Sequence, residues 1–151
     1  MATGDNILTA IKVARNCGII DESVEVWSTD VDENGLFWKS TLTDEIHYKM
    51  PWTISSNTEV AVSGKAFRHI VDFKDKEPYL FMTMIYKAKV YARMGPEMKA
   101  ELVLHTQDIL KIKVAMCGDG ANDCSALKAA DVGLSLSDSE ASIAAPFTSK
   151  I

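Results

Sequence analysis

The stretch KVAMCGDGANDCSALKAAD, residues 113–131, leaves the chain few ways to fold. KVAM reads as a buried strand and CSALKAA as a helix, and a turn containing Gly118 and Gly120 joins them. A strand, glycine turn and helix in that order mark the ligand end of an α/β sheet. The loop also carries two carboxylates, Asp119 and Asp123, where the backbone is otherwise suited to holding an anion. Gly118 and Gly120 match the first two glycines of Gly-x-Gly-x-x-Gly, but Asp123 stands at the third glycine position and Asp119 lies between them. Two negative charges would repel a pyrophosphate, whereas a dinucleotide site relies on bare N–H groups at a helix N-terminus. The nicotinamide and flavin readings therefore fit poorly. The carboxylates make sense with a divalent cation between protein and phosphate, since Mg²⁺ is typically held by one or two carboxylates plus phosphate and water. Asp119 ends the strand, where a side chain can point into a crevice. Asn122 and Asp123 stand in the first helical turn, one able to donate to a phosphoryl oxygen and the other to accept from the loop. In isolation these three residues could equally be making turns and caps.

Two further clusters add chemistry. TGDN, residues 3–6, precedes a helical pattern, and there Thr3 offers a hydroxyl and Gly4 an unobstructed N–H for an oxyanion. VYARMGPEMK, residues 90–99, places Arg93 at a strand end and Lys99 in the first turn of the following helix. A lysine there can put a point charge on a phosphoryl oxygen while Asp119 holds the metal. Each cluster alone has a plain explanation: a cap for Thr3, a solvated face for Lys99, a surface cation for Arg93. Together they are the parts of a phosphoryl-transfer site without its nucleophile.

The rest of the chain reads as α/β. ILTAIKVARNCG is a helix with Ile7, Ile11 and Ala14 on one face, capped from residues 3–6 and ended by Gly18. VEVWSTD and LFWKSTL flank VDENG as a β-hairpin. EIHYKMPWTISSN has no clear assignment. TEVAVSG is a strand and KAFRHIVDF a helix with Phe67, Ile70 and Val71 on one side. AKVYARM is a strand ending near Arg93. Pro96 then opens a helix that sets Met98, Leu102, His105 and Ile109 on one face. DVGLSLS is a short strand, and SEASIAAPFTSK a short helix ended by Pro146. Strands alternating with helices imply a parallel sheet, with the VDENG hairpin as an appendage.

Composition narrows the class. With 151 residues, 47% apolar and 25% charged, the chain can bury a core of its own. A net charge of −5 without a basic stripe argues against a nucleic-acid surface. No run approaches the roughly 20 apolar residues of a membrane span, and no leader precedes MATGDN, so the segment reads as soluble and intracellular, without membrane insertion of its own. Three cysteines, Cys17, Cys117 and Cys124, have no paired spacing and read as small buried hydrophobes rather than a disulfide or zinc framework. His47, His69 and His105 are scattered and are given no metal role.

With these residues in hand, TGDN, VYARMGPEMK and MCGDGANDCSALKAADVGLSLSDSEASIAAPFTSK together closely resemble the phosphorylation domain of P-type transport ATPases, a domain of the haloacid-dehalogenase-like fold. The last run looks most like the fifth class, B branch, whose members are associated with polyamine transport in endosomal and lysosomal membranes. The resemblance is strong over residues 1–18 and 88–151 and weaker through 19–87, where VSGKAF also fits. It implies that Thr3 and Lys99 bind the phosphoryl group and that Asp119 ligates Mg²⁺. Asn122 and Asp123 would complete the phosphate and metal loop, with Asp123 also toward the metal. Gly4 would let the backbone approach the phosphoryl group, and Asp5 and Arg93 would lie toward ATP. It also implies a cytosolic position at a membrane and partners within one pump: nucleotide-binding, actuator and transmembrane domains.

One departure is large. The family phosphorylates an aspartate in an Asp-Lys-Thr-Gly-Thr motif, forming a covalent carboxylate intermediate, and no such motif occurs here. The expectation is an incomplete phosphorylation domain over residues 1–151, a Rossmann-like parallel sheet lacking its central strand, with the hairpin and other additions at roughly 19–87. Such a chain would be inactive alone. Unpaired backbone groups on two neighbouring strands cost about 1–3 kcal/mol each if buried, against a domain stability of about 5–15 kcal/mol. The isolated chain is therefore expected to be marginally folded or aggregation-prone, or to acquire strands from elsewhere. The alternatives are a truncated, non-catalytic regulatory or binding module that pairs with a full-length pump or another partner through open sheet edges, and a free-standing phosphatase, which would need the same absent aspartate.

Overall fold

Ile7, Ile11 and Ala14 form the apolar stripe of a ten-residue helix, α1 (Ile7–Asn16), and the first half of the fold is built on that stripe. Asn6 caps the helix by accepting the Thr9 N–H at 3.0 Å. Gly18 follows it at φ +71°, a conformation open to glycine. The computed structural model describes residues 1–51, 57–119, 121–136 and 147–148 and divides the chain into two units, Met1–Met94 and Gly95–Ile151.

The first unit contains a five-stranded sheet. Its strands are β1 (Glu25–Asp32), β2 (Gly35–Ser40), β3 (Ile46–His47), β4 (Thr58–Ser63) and β5 (Ala88–Ala92), in the order β3-β2-β1-β4-β5. β1 pairs antiparallel with β2 and parallel with β4, and β4 pairs parallel with β5, so the sheet is mixed. The hairpin of β1 and β2 is thus not an appendage. Five consecutive residues of β1, Glu25 to Thr29, pair with β4, which makes the hairpin the outer half of the same sheet. β3, in the stretch without a clear assignment, adds two residues to its edge, and residues 52–56 of that stretch lie outside the described residues.

Side chains alternate across the strands, so one face takes every second residue. Val26, Ala61, Val90 and Ala92 pack with Ala10, Ile11 and Ala14 of α1. The opposite face meets α2 (Gly64–Asp72), capped by Ser63, and α3 (Pro78–Lys87), a helix the sequence reading did not find. Phe67, Ile70 and Val71 of α2 are buried as expected, and Phe67 meets Tyr91 edge-on at 6.1 Å between ring centroids. The Tyr91 hydroxyl donates to the Met84 carbonyl of α3 at 3.1 Å, and burial pushes this phenol well above its ordinary pKa. Full burial of a side chain such as Phe67 is worth about 1.5–3 kcal/mol. Residues 1–3 run beside β5: Tyr91 donates its N–H to the Met1 carbonyl, and Thr3 donates to that of Tyr91.

The second unit begins with α4 (Pro96–Leu110), with Pro96 at its first position. Met98, Leu102, His105 and Ile109 are half-buried there, and Val103 is its buried residue. A parallel sheet follows, ordered β6-β7-β8, from β6 (Ala115–Gly118), β7 (Val132–Ser135) and β8 (Phe147–Thr148). A 3-10 turn, Ala121–Asp123, leads into α5 (Cys124–Ala129), whose Ala126 and Leu127 are buried.

β6 is not a buried strand: Ala115 and Cys117 are exposed, and among the described residues β6 is an edge strand that pairs with β7 alone. Cys17 and Cys117 are exposed and Cys124 half-buried, so the thiols are not core hydrophobes. Of the expected terminal helix, residues 139–146 and 149–150 lie outside the described residues, while Phe147–Thr148 forms β8. Among the described residues no helix is long and apolar enough to cross a membrane.

Candidate functional site

The candidate residues fall into two clusters, one in each unit. In the first unit the chain leaves the edge of β5 at Thr3 and turns through residues 4–6 into α1. Asn6 supplies the helix cap, so capping does not account for Thr3. The Thr3 hydroxyl instead donates to Asp5 Oδ2 at 3.2 Å and accepts the Asp5 N–H at 3.2 Å. A Cβ placed on Gly4 would meet no protein atom within 4 Å, so packing within the protein does not demand glycine there. Arg93 follows β5 at φ +56° and donates its N–H to the Asp5 carbonyl at 2.9 Å, and the next amide, of Met94, donates to the Thr3 carbonyl at 2.9 Å. Thr3, Gly4, Asp5 and Arg93 therefore form one backbone-linked group.

In the second unit, Lys99 rises from the first turn of α4 and donates from Nζ to Asp123 Oδ1 at 2.7 Å. The two side chains are 12% and 10% exposed, so the pair is largely withdrawn from water. Asp123 ends the 3-10 turn and stands at the N-cap position of α5, yet its side chain makes no cap hydrogen bond. The simple capping explanation of this carboxylate thus fails. Its location also explains Gly118: a Cβ there would fall 2.5 Å from Asp123 Oδ2 and 2.7 Å from Asp123 Cβ. The end of β6 and Asp123 can approach this closely only with glycine at that position. Asp119 and Asn122 are exposed on either side of Gly120, which lies outside the described residues.

The sequence pointed to Lys99 and Asp123 separately, one for phosphate and one for metal. It did not reveal that they pair, because 24 positions separate them and only the packing of α4 against α5 and the 3-10 turn brings them together. Among the described residues no three His, Cys, Asp or Glu side chains cluster as a metal cage. Mg²⁺ does not require one, since it commonly binds one or two carboxylates and completes its shell with substrate phosphate and water. An exposed Asp119 beside a glycine-lined turn fits that mode.

A third polar cluster is structural. Asp131, just before β7, accepts from the Val114 N–H at 3.0 Å, Lys113 Nζ at 2.9 Å and Gln107 Nε2 at 2.8 Å. The Val114 hydrogen bond, then those of Lys113 and Gln107, hold its carboxyl down to about 2. This tie joins α4, the start of β6 and the start of β7, at the end of the strands opposite the glycine loop.

The sequence matches no protein-family model. Comparison with characterised proteins gives clear relatives. The vacuolar cation-transporting ATPase YPK9 of Saccharomyces cerevisiae is 41% identical over an alignment that covers 100% of this chain and 12% of the yeast protein. The probable cation-transporting ATPase catp-6 of Caenorhabditis elegans is 40% identical, covering 100% of this chain and 16% of the worm protein. The polyamine-transporting ATPase 13A2 of Homo sapiens is 41% identical, covering 100% of this chain and 14% of the human protein. This α/β chain with an acidic glycine loop matches, over its whole length, one segment of proteins in the class of cation-transporting ATPases. Within that class it belongs to the P-type cation- and polyamine-transporting ATPases. It spans 12–16% of the length of these three relatives.

Proposed function

We propose that this chain is the part of an ATP-driven cation or polyamine pump that carries the Mg²⁺- and phosphate-binding residues of a haloacid-dehalogenase-like phosphorylation domain. The phosphorylated aspartate would belong to another part of the polypeptide, and the 151 residues alone would not turn over ATP. The single observation that carries this reading is the withdrawn Lys99–Asp123 pair packed against Gly118, next to Asp119 at the end of β6. A buried lysine held by a carboxylate keeps a fixed direction for its remaining N–H donors, which suits a preorganised phosphate contact.

The roles follow from the chemistry of each group. Lys99 would place its ammonium on a phosphoryl oxygen, with Asp123 orienting it. Thr3 and the Gly4 N–H would contact a phosphoryl group, and Asn122 would donate to a phosphoryl oxygen. Asp5 and Arg93 would face the nucleotide. Asp119 would hold Mg²⁺, with Asp123 adding negative charge beside it. Mg²⁺ bound there would offset the charge on the phosphoryl oxygens. The partners would be the nucleotide-binding, actuator and transmembrane domains of the same pump, and the location the cytosolic face of an endosomal or lysosomal membrane.

The test is ATP-driven phosphorylation of the complete transporter. Lys99→Ala should abolish labelling by radioactive ATP while the protein still reaches its membrane in normal amount. Phosphoenzyme at the wild-type level in that variant would remove Lys99 from the site and the reading with it.

A further inference from the structure

Arg93 is exposed, lies just beyond β5 and adopts φ +56°, in the left-handed region that L-residues other than asparagine and aspartate seldom occupy. Nothing in its immediate sequence, AlaArgMet, forces that choice, and glycine follows only two positions later. The conformation has a clear structural result. It breaks the extended run of β5 and turns two consecutive amides, of Arg93 and Met94, toward residues 3–5. Those amides bind the Asp5 and Thr3 carbonyls, each at 2.9 Å. With the Thr3 N–H on the Tyr91 carbonyl and the Asp5 N–H on the Thr3 hydroxyl, the Gly4 N–H is the amide of this loop with no partner among the described residues.

We propose that Arg93 is a positioning residue for loop 3–5 through its backbone, independently of its guanidinium, and that its left-handed turn fixes the direction in which the Gly4 N–H is presented. The inference deepens the phosphate-facing reading of Thr3 and Gly4 and rests on it. It predicts that substitutions at this position rank by their tolerance of positive φ, not by charge. Glycine and asparagine hold the turn, alanine holds it less well, and valine, branched at Cβ, resists it most.

The experiment compares Arg93→Gly, Arg93→Asn, Arg93→Ala and Arg93→Val in the complete transporter, measuring the rate of phosphorylation and the ATP concentration at half-maximal rate. All four lack the guanidinium, so a nucleotide contact by that group raises the half-maximal ATP concentration equally in all. The backbone role appears on top of that as a split in rate. Arg93→Asn should exceed Arg93→Ala by about threefold or more, and Arg93→Val should fall about tenfold below Arg93→Gly, the size expected from a left-handed residue. Equal rates in the asparagine and alanine variants would overturn the proposal, and that pair decides even if the valine variant fails to fold. Failure of the underlying site reading shows separately, as retained phosphorylation in Lys99→Ala.

Discussion

Gly118 and Asp123 show how a single atom can govern the candidate site. An added methyl at residue 118 would overlap the Asp123 side chain at 2.5–2.8 Å, so Gly118→Ala must displace the carboxylate that holds Lys99. Overpacking of this kind costs about 1–3 kcal/mol. Chemical denaturation should register that loss, and phosphorylation should fall further than the stability change alone explains. Unaltered phosphorylation in a folded Gly118→Ala protein would mean the Lys99–Asp123 geometry is not used. Asp131 makes a different residue-scale prediction. Its carboxyl is held down to about 2 against an ordinary 3.8, so the folded state favours the charged form. The resulting stabilisation is complete above the unfolded value and is lost as pH falls from about 4 toward 2. Asp131→Asn should therefore flatten the acid limb of a stability–pH curve over that window and lower stability near neutrality. An identical acid limb in wild type and variant would count against the tie between α4, β6 and β7. The positions of Asp119, just past a strand, and of Lys99, in the first turn of a helix, were legible from local sequence. The Lys99–Asp123 pair and the left-handed Arg93 were not, since one is set by packing across 24 positions and the other by hydrogen bonds to residues at the far end of the unit.

Elements were legible in proportion to their local signals. α1 has an apolar stripe, an asparagine cap and a glycine stop, and it forms as read. The same holds for α2, with Ser63 as cap, and for the hairpin around Asp32–Gly35. α3 was missed because PYLFMTMIYK is apolar nearly all round and has no side-chain cap, leaving Tyr79, Met82 and Tyr86 exposed opposite Phe81, Met84 and Ile85. β6 differs from its sequence reading for a related reason: an apolar strand with one neighbour among the described residues reads the same in sequence as a fully enclosed one. The end of α4 gives a test at this scale. Lys111 closes the helix at φ +53°, where glycine is the usual residue, and among the described residues its ammonium meets an exposed Asp108 at 2.8 Å. Lys111→Gly should raise stability by about 1 kcal/mol, since relief of a left-handed residue outweighs a surface ion pair. A thermal midpoint that falls in this variant would show that the ion pair matters more.

For the molecule as a whole, the α/β class was readable from strands alternating with helices, and the mixed character of the larger sheet was not. Nothing local distinguishes a hairpin that hangs off a sheet from one that continues it; pairing of β1 with β4 decides that, and it links residues more than thirty positions apart. Both units place their candidate residues beyond the C-terminal ends of parallel strands, the usual position for ligands in such sheets. Under the proposed function, Asp119 would serve a magnesium ion on a phosphoryl group carried by another part of the pump. The most direct test is the Mg²⁺ dependence of phosphorylation in the complete transporter bearing Asp119→Asn. Loss of phosphorylation, or a requirement for Mg²⁺ raised by about tenfold or more, is the predicted result. Phosphorylation with the wild-type Mg²⁺ requirement would contradict it.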